Sequence, residues 1–197
     1  QRVIALLPDL DSPVCVDLAC GTGDLTRLLS RRYPDGRALG LDLTEAMLAE
    51  ARRRAMPVNV TYRRADMMNT GLDDGVADVV TAGYALRNAP DLDGAVAEIA
   101  RLLRPGGYAA FLDFMRIAGG LRARAQMPVL RIWGSLWGAI LHGDPGMYGY
   151  IAESLRRFPD LPTLRRIFKR HGLRLICAEP CFFGMTAVLI ARREAGP

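Results

Sequence analysis

Lysine is almost missing from this chain. Lys169 is the only one, and arginine carries the rest of a basic balance that leaves a formal net charge of +5 over 197 residues. The clusters Arg52-Arg53-Arg54, Arg63-Arg64, Arg156-Arg157 and Arg165-Arg166 have no interleaved aromatics. They read as solvated faces rather than a nucleic-acid surface, which would stack bases on aromatic rings. The other use for such charge is an anionic membrane surface or an acidic partner. No run of eighteen apolar residues occurs, so no segment is expected to span a bilayer. Half of the residues (50%) are nevertheless apolar, enough core for the one domain that this length predicts. Histidine and cysteine are scarce: His142 and His171, Cys15, Cys20, Cys177 and Cys181. None stands at zinc-ligand spacing, so no metal is expected and the thiols read as reduced and structural in a cytoplasmic chain. No signal-peptide pattern opens the sequence. It begins on Gln1 rather than Met, which fits a portion of a longer chain.

What is present is concentrated near the start. Val14-Cys15-Val16-Asp17-Leu18-Ala19-Cys20-Gly21-Thr22-Gly23-Asp24 reads as an apolar strand, a glycine turn and a helix start, and Gly40-Leu41-Asp42 closes a second strand on a carboxylate. This is the first half of a nucleotide-cofactor site in a doubly wound α/β fold. A dinucleotide fingerprint needs a third glycine, and Thr26 stands in its place. Asp24 puts a negative charge at the positive end of the helix dipole, which repels a pyrophosphate. A ligand with a ribose and a free ammonium but no phosphate fits better. S-adenosylmethionine, with its added sulfonium charge, has that composition.

The alternation continues down the chain. Residues Arg2 to Leu10 read as the end of a helix stopped by Pro8. Strands are predicted at 14–18, 38–41, 58–64, 76–81 and 108–114. The helices between them are predicted at 24–32, from a Thr44 cap to Arg54, and from Asp91 to Leu103, before a Pro105-Gly106-Gly107 turn. This order argues for a parallel sheet. The rhythm then changes. A long apolar and aromatic stretch, 119–142, precedes helical segments at 146–158 and 161–171 and strand-like runs at 173–178 and 187–191. The stretch at about 115–160 reads as a helical cover inserted before the last two strands. Trp133 and Trp137 in it suit core packing, or an apolar mouth for a greasy acceptor. His171, before Gly172, suits a helix C-cap.

In such a sheet ligands bind beyond the carboxyl ends of the strands. That rim holds Asp17 and Gly21-Thr22-Gly23 after the first strand and Asp42-Leu43 after the second. Asp66-Met67 follow the third, and Gly83 to Asn88 follow the fourth. Asp42 can accept from both ribose hydroxyls and Asp66 from the adenine amino group. Met67 can pack beside the ring, and Asp17 can neutralise the ammonium directly or through water. A turn or cap role is the alternative for each acid. Their joint occurrence at successive strand ends favours the cofactor.

The resemblance rests on four passages. They are Asp17-Leu18-Ala19-Cys20-Gly21-Thr22-Gly23-Asp24-Leu25-Thr26; Gly40-Leu41-Asp42 with Met47-Leu48; Ala85-Leu86-Arg87-Asn88 with Asp91; and Tyr148-Gly149-Tyr150-Ile151-Ala152-Glu153-Ser154 running into Arg157-Phe158-Pro159. Together they resemble the UbiE/MenG group of class I methyltransferases, which C-methylate polyprenyl benzoquinols and naphthoquinols. The resemblance implies a Rossmann-like, mostly parallel seven-stranded sheet. It also implies S-adenosylmethionine at Thr22, Asp42, Asp66, Met67 and Gly83, and methylation of a ring carbon ortho to a quinol or phenolic hydroxyl. Arg87 is then the catalytic candidate. A guanidinium with a pKa above about 12 is a poor base, so its role is to stabilise the developing phenolate while water takes the proton. Asn88 would orient that hydroxyl or water. Tyr84, Tyr148, Tyr150 and Ser154 would line the acceptor pocket, with helix packing as the alternative for the last three. A surface ion pair is the alternative for Arg87, and His142 is a second candidate base. Three departures stand out: an N-terminal family region is missing, Gly83 replaces a hydroxyl side chain, and Phe182-Phe183-Gly184-Met185-Thr186 replaces a small-residue pair. They leave room for an enzyme tailoring a secondary metabolite by O- or C-methylation, or for a repurposed cofactor-binding member without methyl transfer. An RNA methyltransferase is disfavoured, because Gly83-Tyr84-Ala85-Leu86 is no base-flipping element. Peripheral membrane contact and a homodimer are both compatible with the sequence.

Overall fold

A computed structural model of the chain describes residues 2–54, 57–117, 123–130, 132, 136 and 149–195, without the side chains of 149–152. Its seven strands are β1 (Val14–Leu18), β2 (Arg37–Asp42), β3 (Val60–Arg64), β4 (Ala77–Gly83), β5 (Leu103–Phe114), β6 (Leu173–Cys181) and β7 (Thr186–Arg193). The helices are α1 (Arg2–Ala5), α2 (Asp24–Arg32), α3 (Glu45–Arg53), α4 (Leu92–Leu102), α6 (Gly149–Arg157) and α7 (Leu161–Arg170), with α5 over 123–130. The sheet order is β3-β2-β1-β4-β5-β7-β6. Strands β1 to β5 pair in parallel, and β7 runs antiparallel between β5 and β6. The chain thus steps outward from β1 twice, in opposite directions. The reversal between β1 and β4 places a crevice at their carboxyl ends.

The inner strands β1, β4 and β7 are mostly buried and apolar because both sheet faces are covered there. Val16 and Leu18 pack with Val96 and Ile99 of α4, Leu155 of α6 and Leu164 and Phe168 of α7. Cys15 points the other way, among Val3 and Ile4 of α1 and Leu29 of α2. The period of two therefore puts Asp17 on the α2 side. Asp91 caps α4 by accepting from the Asp93 N–H, and Asp160 caps α7 through Thr163. His171 is the C-cap of α7, followed by Gly172 at φ 70°. All four cysteines are free, Cys15 buried and the others half-buried.

Several boundaries differ from expectation. Helix α1 ends at Ala5, not Leu10, because the residue before Pro8 is pushed out of helical backbone. Strand β3 begins at Val60 and β4 extends to Gly83. Pro105-Gly106-Gly107 does not precede β5 but lies within it, as an irregularity between the Ala77–Leu103 and Val79–Tyr108 pairs, with Gly106 at φ 82°. Helix α4 runs straight into the strand, so the turn residues are absorbed as a bulge. Thr44 precedes α3, but its hydroxyl makes no capping bond. Its N–H is instead held by Asp42, at 2.8 Å. Most of 119–142, with Trp133, Trp137 and His142, lies outside the described residues, as does Tyr148.

Candidate active site

The loop after β1 is shaped by backbone. Ala19, Gly21 and Gly23 all take left-handed φ, at 49°, 54° and 78°. At Gly23 a side chain would be strained by the left-handed backbone and would crowd Tyr62, since a Cβ would lie 2.1 Å from the Tyr62 hydroxyl. At Gly21 a Cβ would meet nothing within 4 Å, so the space above the loop is open. The Gly21 N–H donates to Asp42 Oδ2 at 2.8 Å, and the Thr44 N–H to Oδ1 at 2.8 Å. Each carboxylate oxygen keeps a second lone pair, the number a ribose diol needs. Leu43, next in the chain, is exposed.

Asp17 sits underneath this loop rather than on its surface. It is fully buried and accepts from Thr26 Oγ1 and Thr81 Oγ1, both at 2.7 Å. Burial pushes its carboxyl up to about 6, against the pull of the two hydroxyls. The structure therefore gives Asp17 the task of joining β1, α2 and β4. Thr26, the residue in place of a third glycine, supplies one of those bonds. Asp24 is exposed at the start of α2 and pairs with Arg27 at 2.7 Å and Arg54 at 3.0 Å. Arg27 also holds the Thr22 carbonyl, at 2.9 Å.

On the far side, Asp66 turns the chain after β3 by accepting from the Met68 N–H at 2.9 Å, and Met67 packs against the core. The segment after them is latched to α4, where Glu98 accepts from both the N–H and the hydroxyl of Thr70. Burial alone would raise the Glu98 carboxyl, but hydrogen bonds from Arg101 and Thr70 outweigh it and hold it at about 2.

The turn after β4 is of another kind. At Gly83 a Cβ would come 2.9 Å from Leu25 Cδ1, so the missing hydroxyl side chain is matched by the close approach of α2. Tyr84 follows at φ 55°, a strained conformation for a bulky residue, and tilts against Phe114 with ring centroids 5.6 Å apart. Asn88 closes the turn through its Nδ2, which donates to the Tyr84 carbonyl at 2.9 Å. Arg87 points inward. Its Nε lies 3.1 Å from Asp113 Oδ1, its guanidinium covers the Phe114 ring at 5.1 Å, and Nη1 donates to Ser154 Oγ on α6 at 2.6 Å. The side chains of Arg87 and Asp113 are 3% and 1% exposed, which replaces the surface ion pair that the sequence left open by a buried one.

Asp113 is the residue that sequence reasoning missed. The signal was a single acid in the apolar run Tyr108 to Phe114. Burial pushes its carboxyl up to about 6, although Arg87 pulls the other way.

Known proteins resemble this chain in sequence and in fold. The sequence pattern of the ubiE/COQ5 methyltransferase family matches residues 2–193. The chain belongs to that family. It is 36% identical over 180 residues to a 2-phytyl-1,4-naphtoquinone methyltransferase of Thermosynechococcus vestitus, covering 90% of this chain and 80% of the relative. It is 32% identical over 195 residues to a demethylmenaquinone methyltransferase of Thermus thermophilus, covering 98% and 88%. Among solved structures, a S-adenosylmethionine dependent methyltransferase from Mesorhizobium loti superposes with a TM-score of 0.70 at 20% identity, covering 98% and 96%. That likeness shows the class I methyltransferase fold.

As a member of the ubiE/COQ5 family the protein is a methyltransferase that uses S-adenosylmethionine. The rim suits that donor: open space over Gly21, spare acceptor positions on Asp42, and an apolar side chain at Leu43. Of the predicted residues, Gly21, Thr22, Gly23 and Asp42 come together at the first two strand ends. Arg87, Asn88, Tyr84 and Ser154 gather after β4. Tyr150 lies in α6 with its side chain outside the described set.

Proposed function

We propose that the chain transfers a methyl group from S-adenosylmethionine to a ring carbon of a quinol, ortho to a hydroxyl, with a prenylated naphthoquinol or benzoquinol as acceptor. The observation that carries this reading is the buried Arg87, ion-paired and anchored to α6, on the strand rim that also carries Gly21 and Asp42. When bound, the donor supplies an electrophilic methyl on a sulfonium, a good leaving group. The protein's work is positioning and electrostatics. Asp42 and the Gly21–Gly23 backbone hold the ribose and methionine parts, while Asp66 and Met67 flank the adenine. Arg87 stabilises the negative charge that builds on the acceptor oxygen as its proton leaves to water, and that charge makes the ortho carbon nucleophilic. After the new C–C bond forms, the ring proton leaves to water and aromaticity returns. Asn88 acts by holding the Tyr84–Asn88 turn in shape.

The acceptor is greasy, and apolar side chains are exposed near the same rim. Phe182 and Phe183 are 72% and 94% exposed. Phe182 and Phe183 follow β6, and the Met115 N–H just past β5 donates to the nearby Met185 carbonyl at 2.9 Å. We infer peripheral contact with a bilayer through this edge.

The test is methylation of a chemically reduced 2-prenyl-1,4-naphthoquinone, read by mass. A gain of one methyl on carbon supports the reading, and a product methylated on oxygen overturns it. Co-sedimentation with anionic vesicles that disappears in the double variant Phe182→Ser, Phe183→Ser supports the edge contact; equal binding of both proteins removes it.

A further inference from the structure

The role of Arg87 raises a question of geometry. An arginine side chain carries about 2 kcal/mol of rotamer entropy, and an oriented charge has to be fixed before the reaction. Around Arg87 the backbone N–H, Nε, the guanidinium face and Nη1 each meet a neighbour. Its backbone N–H donates to Asp113 Oδ2 at 3.1 Å, and its Nε lies 3.1 Å from Oδ1. Its plane covers Phe114, and Nη1 reaches Ser154. Asp113 is itself fixed, because Oδ1 also accepts the Phe114 N–H at 2.8 Å. One carboxylate on a rigid central strand thus holds the main chain and the side chain of a residue in a strained turn, 26 positions earlier in sequence. Fold stability is a poor account of this acid. A buried ion pair adds little over apolar packing of the same volume, and Asp113 interrupts the apolar stretch Ala109-Ala110-Phe111-Leu112.

We propose that Asp113 is a positioning residue for methyl transfer, fixing the Arg87 guanidinium between the turn after β4 and α6, where the acceptor oxygen would meet its charge. Asp113 does not touch the acceptor; it acts through Arg87. The inference rests on the reading that Arg87 stabilises the acceptor oxyanion.

The experiment is a double-mutant cycle on kcat with Asp113→Asn, Arg87→Ala and the combined variant, using the reduced 2-prenyl-1,4-naphthoquinone as acceptor. Calorimetry with S-adenosylhomocysteine checks the cofactor half. Asp113→Asn is expected to bind that product within twofold of wild type, keep the donor KM within twofold, and lose roughly 30- to 100-fold in kcat, as a misplaced catalytic group does. In the Arg87→Ala background the same change should alter kcat by less than twofold, because there is no guanidinium left to aim. Losses that multiply, or a normal kcat in Asp113→Asn, overturn the proposal. If Asp113→Asn fails to bind S-adenosylhomocysteine, Asp113→Glu replaces it in the same cycle. A tenfold kcat loss confined to the Arg87-containing protein supports the proposal, and any other pattern overturns it. Inactive wild type, by contrast, defeats the acceptor reading itself before Asp113 is tested.

Discussion

The two halves of the rim are built by opposite means. On the β1–β2–β3 side the rim is main chain: left-handed glycines, N–H groups caught by Asp42, and a buried Asp17 tying three elements from below. On the β4–β5 side it is side chain: an ion pair with 3% and 1% exposure, an aromatic face and a serine 67 positions away. Backbone geometry suits a ligand that never changes. Side-chain geometry suits one that differs from enzyme to enzyme, because a single substitution can reshape it.

That contrast can be broken experimentally. The largest effect is expected from Arg87→Ala, with kcat down by about 10²- to 10³-fold and donor affinity nearly unchanged; steady-state kinetics and calorimetry separate the two. Gly23→Ala should do the reverse. A left-handed backbone and the close Tyr62 hydroxyl should weaken S-adenosylhomocysteine binding by roughly 100-fold or more, from a cost of about 3 kcal/mol. If donor binding survives in Gly23→Ala, the main-chain half is less rigid than described. Stability distinguishes the halves next. Arg87→Ala leaves Asp113 buried without its counter-charge and should cost about 3 kcal/mol in urea melts. Adding Asp113→Asn should return part of that loss.

The smallest effects are pH effects, and they differ in sign. Asp17 has a folded value near 6, above the unfolded value of about 3.9. Its contribution is fully present below about pH 4 and lost as pH rises through 6. Wild type should therefore lose about 2 kcal/mol relative to Asp17→Asn between pH 4 and pH 7.5, measured by paired denaturant titrations. Glu98 has a folded value near 2, below its unfolded value of about 4.3. Its contribution is present above that unfolded value and lost as pH falls toward 2. Acid should release the Thr70 latch beside Asp66, seen as faster amide exchange at Thr70 in wild type. A Glu98→Gln protein should show that fast exchange at neutral pH as well.

The halves also differed in how far they could be read from sequence. The glycine loop and Asp42 are local signals, because a left-handed turn selects glycine and a strand end places the next residue at the rim. Arg87 and Ser154 could be marked only through family resemblance, since nothing in their neighbourhoods announces that they meet. Asp113 went unnoticed because its partner lies on another strand end, and a lone acid in an apolar run has no local meaning. The case of Asp17 has a similar cause: spacing puts it at the rim, and only the fold shows that strand alternation turns it toward α2, where Thr26 and Thr81 close over it. The bulge at Pro105-Gly106-Gly107 reads as a connecting turn in sequence because pairing register is invisible along a single chain.

The bond from Arg87 to Ser154 has a consequence for how such an enzyme diversifies. Helix α6 falls within the segment expected from sequence to form the cover, where changes to admit a bulkier or smaller acceptor would be made. Because its serine also grips Arg87, the proposed role of that guanidinium makes a shift of the helix retune reactivity along with fit. New acceptor ranges are therefore more accessible through the segments of the cover that leave Ser154 in place, and a lineage that moves α6 must find another hydroxyl for the guanidinium at the same step.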